Sequence, residues 1–300
     1  MKRTAILLLV PALLLAACTT NPATGKKQFN FLAPDQEVAM GTEATPEITK
    51  EYGGKVNDPG IQAYLTEVGK KLAAGTEGDN PKLPWEFTML DSDVINAFSL
   101  PGGKVFFSRG LAAKLKNEAQ LAGVLGHEIG HVTARHINDQ MVHQAEVGVA
   151  AELASSLLES KAGAAGQLVP QVVQFGGQTV LLQFSRPQET QADSLGLRYM
   201  TKAHYNPKEM LGVMQVLEEA MKGNTTPEFF STHPYPDTRI KAIQGELKNT
   251  YSAAAADASS ITNAAEYQKR MLQPLAKLPP APKPAPAPAP QTGAKGMKQK

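Results

Sequence analysis

The segment His127-Glu128-Ile129-Gly130-His131 constrains this chain more than any other feature of its sequence. Two histidines four residues apart project from the same side of a helix, so both imidazoles can bind one metal ion, with zinc–nitrogen distances of about 2.0–2.1 Å. Glu128 lies between them in angle and can accept a proton from a water on that metal without taking a coordination position. The segment therefore predicts a helix that carries a hydrolytic zinc site.

A catalytic zinc site needs a third protein ligand and one position left for water. The segment that begins at Ser185 supplies a candidate, because Ser185 and Gln188 fit a capping box and Pro187 suits the first turn of a helix. Glu189 and Asp193 then share one face of that helix. We expect Glu189 to bind the metal and Asp193 to accept the second ring N–H of a ligand histidine. A solvated helical surface is the alternative when the two carboxylates are considered alone.

Four motifs, in order along the chain, make it similar to the HtpX-like and CAAX-prenyl-protease-type family of zinc metallopeptidases, in particular to its short periplasmic lipoprotein branch. The similarity covers roughly residues 25–247 and includes NAFSLPGG at 96–103, GHEIGH at 126–131, ETQAD at 189–193 and STHPYPDTR at 231–239. The resemblance implies an α+β, predominantly helical, zincin-like metalloprotease domain with a small β-sheet next to the histidine-bearing helix. It also implies protein endopeptidase activity with one Zn²⁺ per chain, bound by His127, His131 and Glu189, and with Glu128 as general base and acid.

An extended segment precedes the histidine pair. Residues 95–100 read as a strand, and the Pro-Gly-Gly turn that follows predicts a small sheet. The part from Asn96 to Ser99 is a candidate edge strand, on which an extended substrate would add as a further strand over the metal. We take Asn96, Ala97 and Phe98 as candidate substrate-binding residues. The alternative is a strand with a structural role only.

The last of the four motifs supplies a further candidate beside the metal. As a catalytic group, His233 would donate to the developing oxyanion, or it would approach the metal and block the water position. A surface or helix-capping histidine is the alternative. Arg239 is expected to brace this loop or a carboxylate ligand. The remaining histidines are expected to be structural or exposed: His136, His143 and His204.

The N-terminus resembles the leader of a bacterial lipoprotein. A basic start is followed by the apolar run 5–17, which is too short to span a bilayer comfortably as a permanent helix. The run ends in Leu-Ala-Ala-Cys, which resembles a lipobox. Cys18, the chain's only cysteine, would then carry palmitate and further acyl groups, enough for a stable anchor. Thr19, which is not Asp, resembles the outer-membrane class, facing the periplasm. An incidental thiol after an ordinary signal peptide is the alternative.

The rest of the chain is expected to form one main domain. The expected boundaries are 1–17 for the signal peptide, 18–30 for the lipid anchor and tether, 31–250 for the zinc metallopeptidase domain, 251–278 for a C-terminal extension and 279–300 for a Pro/Ala-rich disordered tail. The formal net charge of +2 comes from the leader and the tail, so the body is net negative. A net negative body argues against nucleic acid as a partner.

Apolar periodicity predicts the secondary structure of that domain. Helices are expected from Pro34 to about Gly41, from Asp58 to Gly75, from Leu111 to about His136, and over 187–200, 207–221 and 237–247, with a half-buried strand over 85–90. The stretch 138–182 predicts helices that pack in the core, and a lid over the site is the alternative.

These features favour a zinc endopeptidase of the bacterial cell envelope. We expect its substrates to be unfolded or misassembled envelope proteins, which places it in protein quality control. One alternative is a periplasmic chaperone or assembly factor with a latent or structural zinc site, in which case client binding would survive zinc removal. Another is an envelope scaffold whose Pro/Ala tail docks a partner. Neither alternative has a use for a general base at Glu128.

Overall fold

The structure is a computed structural model that describes residues 18–144, 183–222, 227–234 and 237–282. Its strands are β1 (Cys18–Thr20), β2 (Lys27–Phe29), β3 (Glu86–Leu90), β4 (Ala97–Leu100) and β5 (Lys104–Ser108). Its helices are α1 (Pro34–Glu51), α2 (Pro59–Ala73), α3 (Arg109–Ala112), α4 (Glu118–Thr133), α5 (136–144), α6 (Arg186–Lys202), α7 (Glu209–Met221), α8 (Phe229–Thr232), α9 (Asp237–Asn249), α10 (Ser252–Ala256) and α11 (Ala264–Tyr267). Three further short helical segments are a 3-10 helix at Asn80–Lys82, a π-helix at Gln268–Leu272 and a single α-helical turn at Gln273–Leu275. The expected helix-rich α+β fold is confirmed.

Several expected segments fall outside this description. The signal peptide at 1–17, the tail from 283 onward and the stretch 145–182, for which a lid was the alternative, lie outside the described residues. Within the described ranges, none of the helices combines the length and the apolar character that crossing a bilayer requires.

Helix α4 is the centre of the domain, and all of its residues except Val132 are buried. Helix α6 packs along it at a distance that only glycine permits. A Cβ atom added at Gly130 would lie 2.9 Å from the carbonyl oxygen of Ala192, and one added at Gly126 would lie 3.2 Å from that of Gly196. Because these neighbours are backbone atoms, they fix how closely the two helices approach. The glycines beside the histidine pair therefore hold α6 against α4.

The three-stranded sheet has the order β3-β5-β4, with β5 parallel to β3 and antiparallel to β4. The tight turn expected between β4 and β5 is present, with Gly102 and Gly103 at positive φ. One face of the sheet, represented by Phe87 and Phe107, lies in the main core together with residues of α2 and α4. The sheet thus stands directly beside the helix that carries the histidines.

Helix α1 is longer than expected because it covers the opposite face of the sheet. The sequence predicted a helix only to about Gly41, whereas α1 runs to Glu51 and passes through Pro46. The residues from this helix and from the sheet form a second buried cluster: Ala44, Ile48, Tyr52, Leu90, Phe98, Leu100 and Phe106. Since both faces are covered, the prediction of a half-buried strand is wrong, and Thr88 is only 1% exposed.

The long helix expected from Leu111 to about His136 is divided into α3, α4 and the start of α5. Asn117 begins α4, and its side chain accepts a hydrogen bond from a backbone N–H of the first turn. The helix ends at Thr133, shortly before Arg135, whose φ of 58° is incompatible with a continuing helix. The cap at Asn117 sets the start of α4, and the left-handed residue Arg135 follows its end. Apolar periodicity reveals neither boundary.

Residues 18–29 form a hairpin where the sequence analysis expected a tether. Strands β1 and β2 pair antiparallel, and the hairpin packs on the end of α4. Asn21 Nδ2 donates to Thr133 O, and Gln28 Nε2 donates to Ala134 O, so these side chains satisfy carbonyl groups at the helix terminus. Asn138 holds the following segment through hydrogen bonds with the main chain of Phe29, Phe31 and Leu32.

The segment expected as a C-terminal extension belongs to the same core. Tyr267 and Met271 are fully buried, and the Tyr267 hydroxyl donates to Ala112 O at 2.7 Å. Residues 251–278 therefore complete the packing around α2 and α4 and do not stand apart from the domain.

The predicted start of α2 is confirmed, because Asp58 Oδ1 accepts hydrogen bonds from the backbone N–H groups of Gly60 and Ile61.

Replacing Gly130 by alanine tests the contact between α4 and α6. We expect the free energy of unfolding to fall by about 1–3 kcal/mol, because the added methyl group meets the backbone of Ala192. Gly245→Ala is the matched control, since a Cβ atom there meets nothing within 4 Å and alanine favours a helix over glycine by about 1 kcal/mol. Urea denaturation of both variants measures the two effects. Unchanged stability of Gly130→Ala would show that the helices have room to separate.

Candidate metal centre

Two histidines of α4 and one glutamate of α6 converge where these helices meet. The Nε2 atoms of His127 and His131 lie 3.0 Å apart. The carboxylate of Glu189 lies 3.5 Å from the first Nε2 atom and 3.3 Å from the second. All three side chains are buried. The structure therefore brings together the three residues that the sequence proposed as metal ligands.

The other ring nitrogen of His127 is held by a carboxylate. Its Nδ1 atom lies 2.9 Å from Asp193 Oδ1. Burial alone would raise the pKa of Asp193, but the Arg239 guanidinium holds it below its ordinary value, so this carboxylate is an anionic acceptor. His127 therefore carries its proton on Nδ1 and turns an unprotonated Nε2 toward Glu189 and His131.

The other ring nitrogen of His131 is held by a third imidazole. Its Nδ1 atom lies 2.9 Å from His136 Nδ1. Burial lowers the pKa of His131 well below its ordinary value and lowers that of His136 to about 4, so both rings are neutral near pH 7. A neutral His131 has one ring nitrogen free to bind a metal.

Arg239 of α9 is the buried counter-ion of this group. Its Nη1 atom lies 2.7 Å from Glu189 Oε2, and its Nε and Nη2 atoms donate to the two oxygens of Asp193 at 2.7 and 2.6 Å. Burial would lower the pKa of Arg239, but these carboxylates raise it above its ordinary value, so the guanidinium stays charged. These are the contacts expected of a residue that braces a carboxylate ligand.

Glu128 is fully buried on α4, beside the converging side chains. Ser99 Oγ of β4 lies 3.0 Å from Glu128 Oε2 and orients the carboxylate. The other oxygen, Oε1, lies 3.4 Å from His233 Nε2, and among the described residues it has no hydrogen-bond partner of good geometry. One oxygen is thus held in place and the other is available for a proton.

His233 lies against the same group of side chains. Its Nδ1 atom is 3.0 Å from Glu189 Oε1 and 3.3 Å from His127 Nε2, and its ring stacks on Phe229 with centroids 4.4 Å apart. Burial would lower the pKa of His233, but Glu189 and Glu128 raise it above its ordinary value. The residue is 0% exposed, so the alternative of a surface histidine is wrong, although its backbone caps α8.

The donor set and the charge balance both fit a divalent metal ion. Four residues present ligand atoms within 4.8 Å of one another: His127, His131, Glu189 and His233. Imidazole nitrogens with a carboxylate oxygen suit zinc. The Nε2 atoms of His127 and His131, 3.0 Å apart, are close enough to bind one cation placed between them. In addition, the three buried carboxylates of Glu128, Glu189 and Asp193 outnumber the one permanently charged cation among them, the Arg239 guanidinium.

Strand β4 lies at the edge of the sheet, beside this centre. Hydrogen bonds in an antiparallel pair alternate, and Ser108 N–H donates to Asn96 O, so the register turns the main-chain groups of Ala97 and Ser99 away from β5. The side chain of Asn96 instead donates to the carboxylate of Glu228, before α8. Phe98 packs in the second buried cluster. Of the three candidate substrate-binding residues, only Ala97 has main-chain groups that face away from β5 in this register, and the residue is buried.

Sequence reasoning missed two contributors to the site. His136 follows His131 by five positions, which is off the metal-facing side of a regular helix, but the positive φ of Arg135 brings its ring back to His131. Ser99 was considered only as part of an edge strand, and no spacing rule links it to Glu128. The other two histidines, His143 and His204, are exposed, as expected.

Comparisons with known proteins bear on the same residues. The sequence model described as Peptidase family M48 matches residues 59–247, which include the histidine pair, Glu189, His233 and Arg239. This chain belongs to peptidase family M48. The family resemblance given by the four motifs is thereby confirmed.

Several proteins that are similar in sequence to this M48 chain are named as proteases. It is 33% identical over 227 residues to the mitochondrial metalloendopeptidase OMA1 of Schizosaccharomyces pombe, covering 74% of this chain and 64% of that protein. It is 30% identical over 234 residues to the beta-barrel assembly-enhancing protease of Yersinia pestis, covering 76% and 47%, and 29% identical over 225 residues to that of Escherichia coli, covering 74% and 46%. The chain thus matches between about half and two thirds of the length of these relatives.

Removing the guanidinium of Arg239 tests the charge balance. For Arg239→Met without metal, we expect the free energy of unfolding to fall by about 3–5 kcal/mol, because the neighbouring carboxylates lose their buried counter-ion. With zinc present the loss should be smaller, because the metal offsets part of the same negative charge. Urea denaturation with and without zinc measures both values. Arg186→Met, at an exposed position, is the control and should change stability by less than about 0.5 kcal/mol. An equal loss in both conditions would contradict the electrostatic account.

Proposed function

We propose that this protein is a zinc-dependent endopeptidase of the bacterial cell envelope. The observation that carries the proposal is the convergence of two imidazoles and a carboxylate beside a second carboxylate, that of Glu128, which keeps one oxygen unpaired. Zinc held by His127, His131 and Glu189 would supply the positive charge that acidifies a water molecule and polarises the scissile carbonyl. Membership of a metallopeptidase family supports the same chemistry.

Glu128 would carry the proton in this reaction. Its Oε2 atom is occupied by the Ser99 hydroxyl, so Oε1 is the oxygen that would accept a proton from the attacking water and pass it to the leaving amine. Burial beside the metal ligands keeps bulk water away from that oxygen. A chaperone with a latent or structural zinc site has no need of such a carboxylate, so the geometry favours the peptidase.

The edge of β4 that faces away from β5 would bind the substrate once it is uncovered. The main-chain groups of Ala97 and Ser99 point away from β5 and can pair with an extended peptide, as in other cases of strand addition. The side chain of Ser99 contacts Glu128, so a peptide paired at this position would run past the proton-transferring carboxylate. Asn96 and Phe98 would hold the strand in position and would not contact the substrate. Asn96 does so through its hydrogen bond to Glu228, and Phe98 through its packing in the second buried cluster.

His233 would control access to the metal. Its Nδ1 atom lies close to both Glu189 and His127, which is where a fourth ligand would displace water. In this conformation the ring therefore favours the blocking role over donation to an oxyanion. When the α8 segment moves away, the same position would become available to water and substrate.

Location and substrates are further parts of the proposal. We propose that Cys18 is acylated, with palmitate among its chains, and anchors the protein in the outer membrane facing the periplasm. The hairpin that starts at Cys18 packs directly on the domain, so an anchor there would keep the active centre close to the membrane surface. Two of the relatives are named beta-barrel assembly-enhancing proteases. We therefore propose unfolded or misassembled envelope proteins as substrates, in a quality-control role.

Substituting Glu128 by glutamine tests the enzymatic role. We expect Glu128→Gln to bind zinc normally but to cleave an unfolded outer-membrane protein about 10²–10⁴-fold more slowly. General acid–base catalysis typically contributes a factor of this size. Glu219→Gln, at an exposed position on α7, is the matched control and should cleave like the wild type. A chelator should abolish wild-type cleavage, and added zinc should restore it. Undiminished proteolysis by a pure Glu128→Gln preparation would rule out the assigned role.

Substituting His233 by alanine separates its two proposed roles. If the ring blocks the fourth position, His233→Ala should cleave unfolded protein several-fold faster than the wild type. If the ring instead stabilises the oxyanion, kcat should fall by about 10²–10³-fold. From the observed contacts we expect the increase. Initial cleavage rates at saturating zinc measure the difference, with His204→Asn, at an exposed position, as control.

A further inference from the structure

We propose that His136, held by Gln191, is a positioning residue that fixes the tautomer of the metal ligand His131. This inference rests on the proposed function, because it concerns how the zinc site is prepared. The ring of His136 is 0% exposed, and its Nδ1 atom lies 2.9 Å from His131 Nδ1. Its Nε2 atom lies 3.1 Å from Gln191 Oε1. The three side chains thus form a hydrogen-bonded chain that ends at the proposed metal site.

The direction of this chain follows from the donors and acceptors available. Two Nδ1 atoms at 2.9 Å share one proton, so one ring donates and the other accepts. Gln191 Oε1 can only accept, so His136 carries its proton on Nε2 and its Nδ1 is the acceptor. His131 must then donate from Nδ1. Its Nε2 is left with a lone pair directed toward Glu189 and the metal position.

The opposite arrangement would block metal binding. If His136 donated from Nδ1, His131 would carry its proton on Nε2, the atom that faces Glu189 and His127. A protonated ring nitrogen cannot bind zinc. Gln191 therefore selects the productive tautomer from a distance of two hydrogen bonds.

Using a neutral imidazole here also suits the charge of the site. His127 already has an anionic partner, Asp193, and Glu128 and Glu189 add two more buried carboxylates around one guanidinium. A carboxylate behind His131 would add a further buried negative charge at a desolvation cost. An imidazole backed by an amide orients His131 without adding charge.

Helix α6 is placed to hold this arrangement. It supplies Glu189 as a ligand and Gln191 two residues later, and Gln188 Nε2 donates to His136 O at 3.3 Å. The positive φ of Arg135 turns the chain so that His136 faces α6. Both ends of the hydrogen-bonded chain are therefore fixed by the same pair of helices.

The test compares zinc affinity among variants of the full chain. His136→Leu removes the acceptor, whereas His136→Asn keeps an oxygen acceptor near the position of Nδ1. We expect His136→Leu to weaken zinc binding by about 10–100-fold, as is usual for the loss of an outer hydrogen-bond partner of a ligand. His136→Asn should recover most of that loss. Zinc dissociation constants from chelator competition, with thermal unfolding of the metal-free proteins in parallel, provide the readouts.

Gln191→Leu keeps the test decisive should the His136 variants fail to fold, because Gln191 lies at a partly exposed position. It should weaken zinc binding several-fold without changing metal-free stability, whereas Gln244→Leu, at an exposed position on α9, should change neither. Wild-type zinc affinity in Gln191→Leu, or equal losses in folded His136→Leu and His136→Asn, would overturn the inference. A wild-type protein that binds no zinc and cleaves nothing would instead overturn the proposed function itself.

Discussion

The close approach of α4 and α6 is the constraint on which the rest of the structure depends. Gly126 and Gly130 leave no side chain between the helix backbones, so α6 lies near enough for Glu189 to reach the two histidines. The proposed ligands come from elements far apart in sequence, so the contact between the two helices is needed to bring them together. A methyl group at Gly130 would lie 2.9 Å from the carbonyl oxygen of Ala192 and would force the backbones apart, whereas a functional site tolerates displacements of only about 0.5 Å.

A second constraint is the electrostatic balance inside that contact. Three buried carboxylates lie near Arg239, and burying isolated charges of one sign costs several kcal/mol for each charge. The guanidinium offsets part of this charge by binding Glu189 and Asp193 together. The remaining negative charge makes the site receptive to a divalent cation. Metal affinity and domain stability are therefore coupled through the same few side chains.

The local parts of this site were predictable from the sequence, and the long-range parts were not. The spacing of His127 and His131 fixes their shared face, and the capping residues near Ser185 fix where Glu189 falls on its helix. No local pattern shows that α1 covers the sheet as far as Glu51, or that Ser99 meets Glu128. The contact between His136 and His131 was not expected, because helical periodicity assumes an unbroken helix and Arg135 breaks it. Tertiary packing and left-handed residues account for these differences.

The N-terminal hairpin links the site to the start of the domain. Asn21 and Gln28 satisfy the carbonyl groups of Thr133 and Ala134, shortly after His131 along the chain. Terminal carbonyl groups left without partners favour fraying of a helix end. The segment that follows the proposed acylation site therefore stabilises the last turn of α4, which carries the proposed metal ligand His131. Releasing the hairpin would leave these two carbonyl groups without their side-chain partners and would loosen the end of the helix on which the site is built.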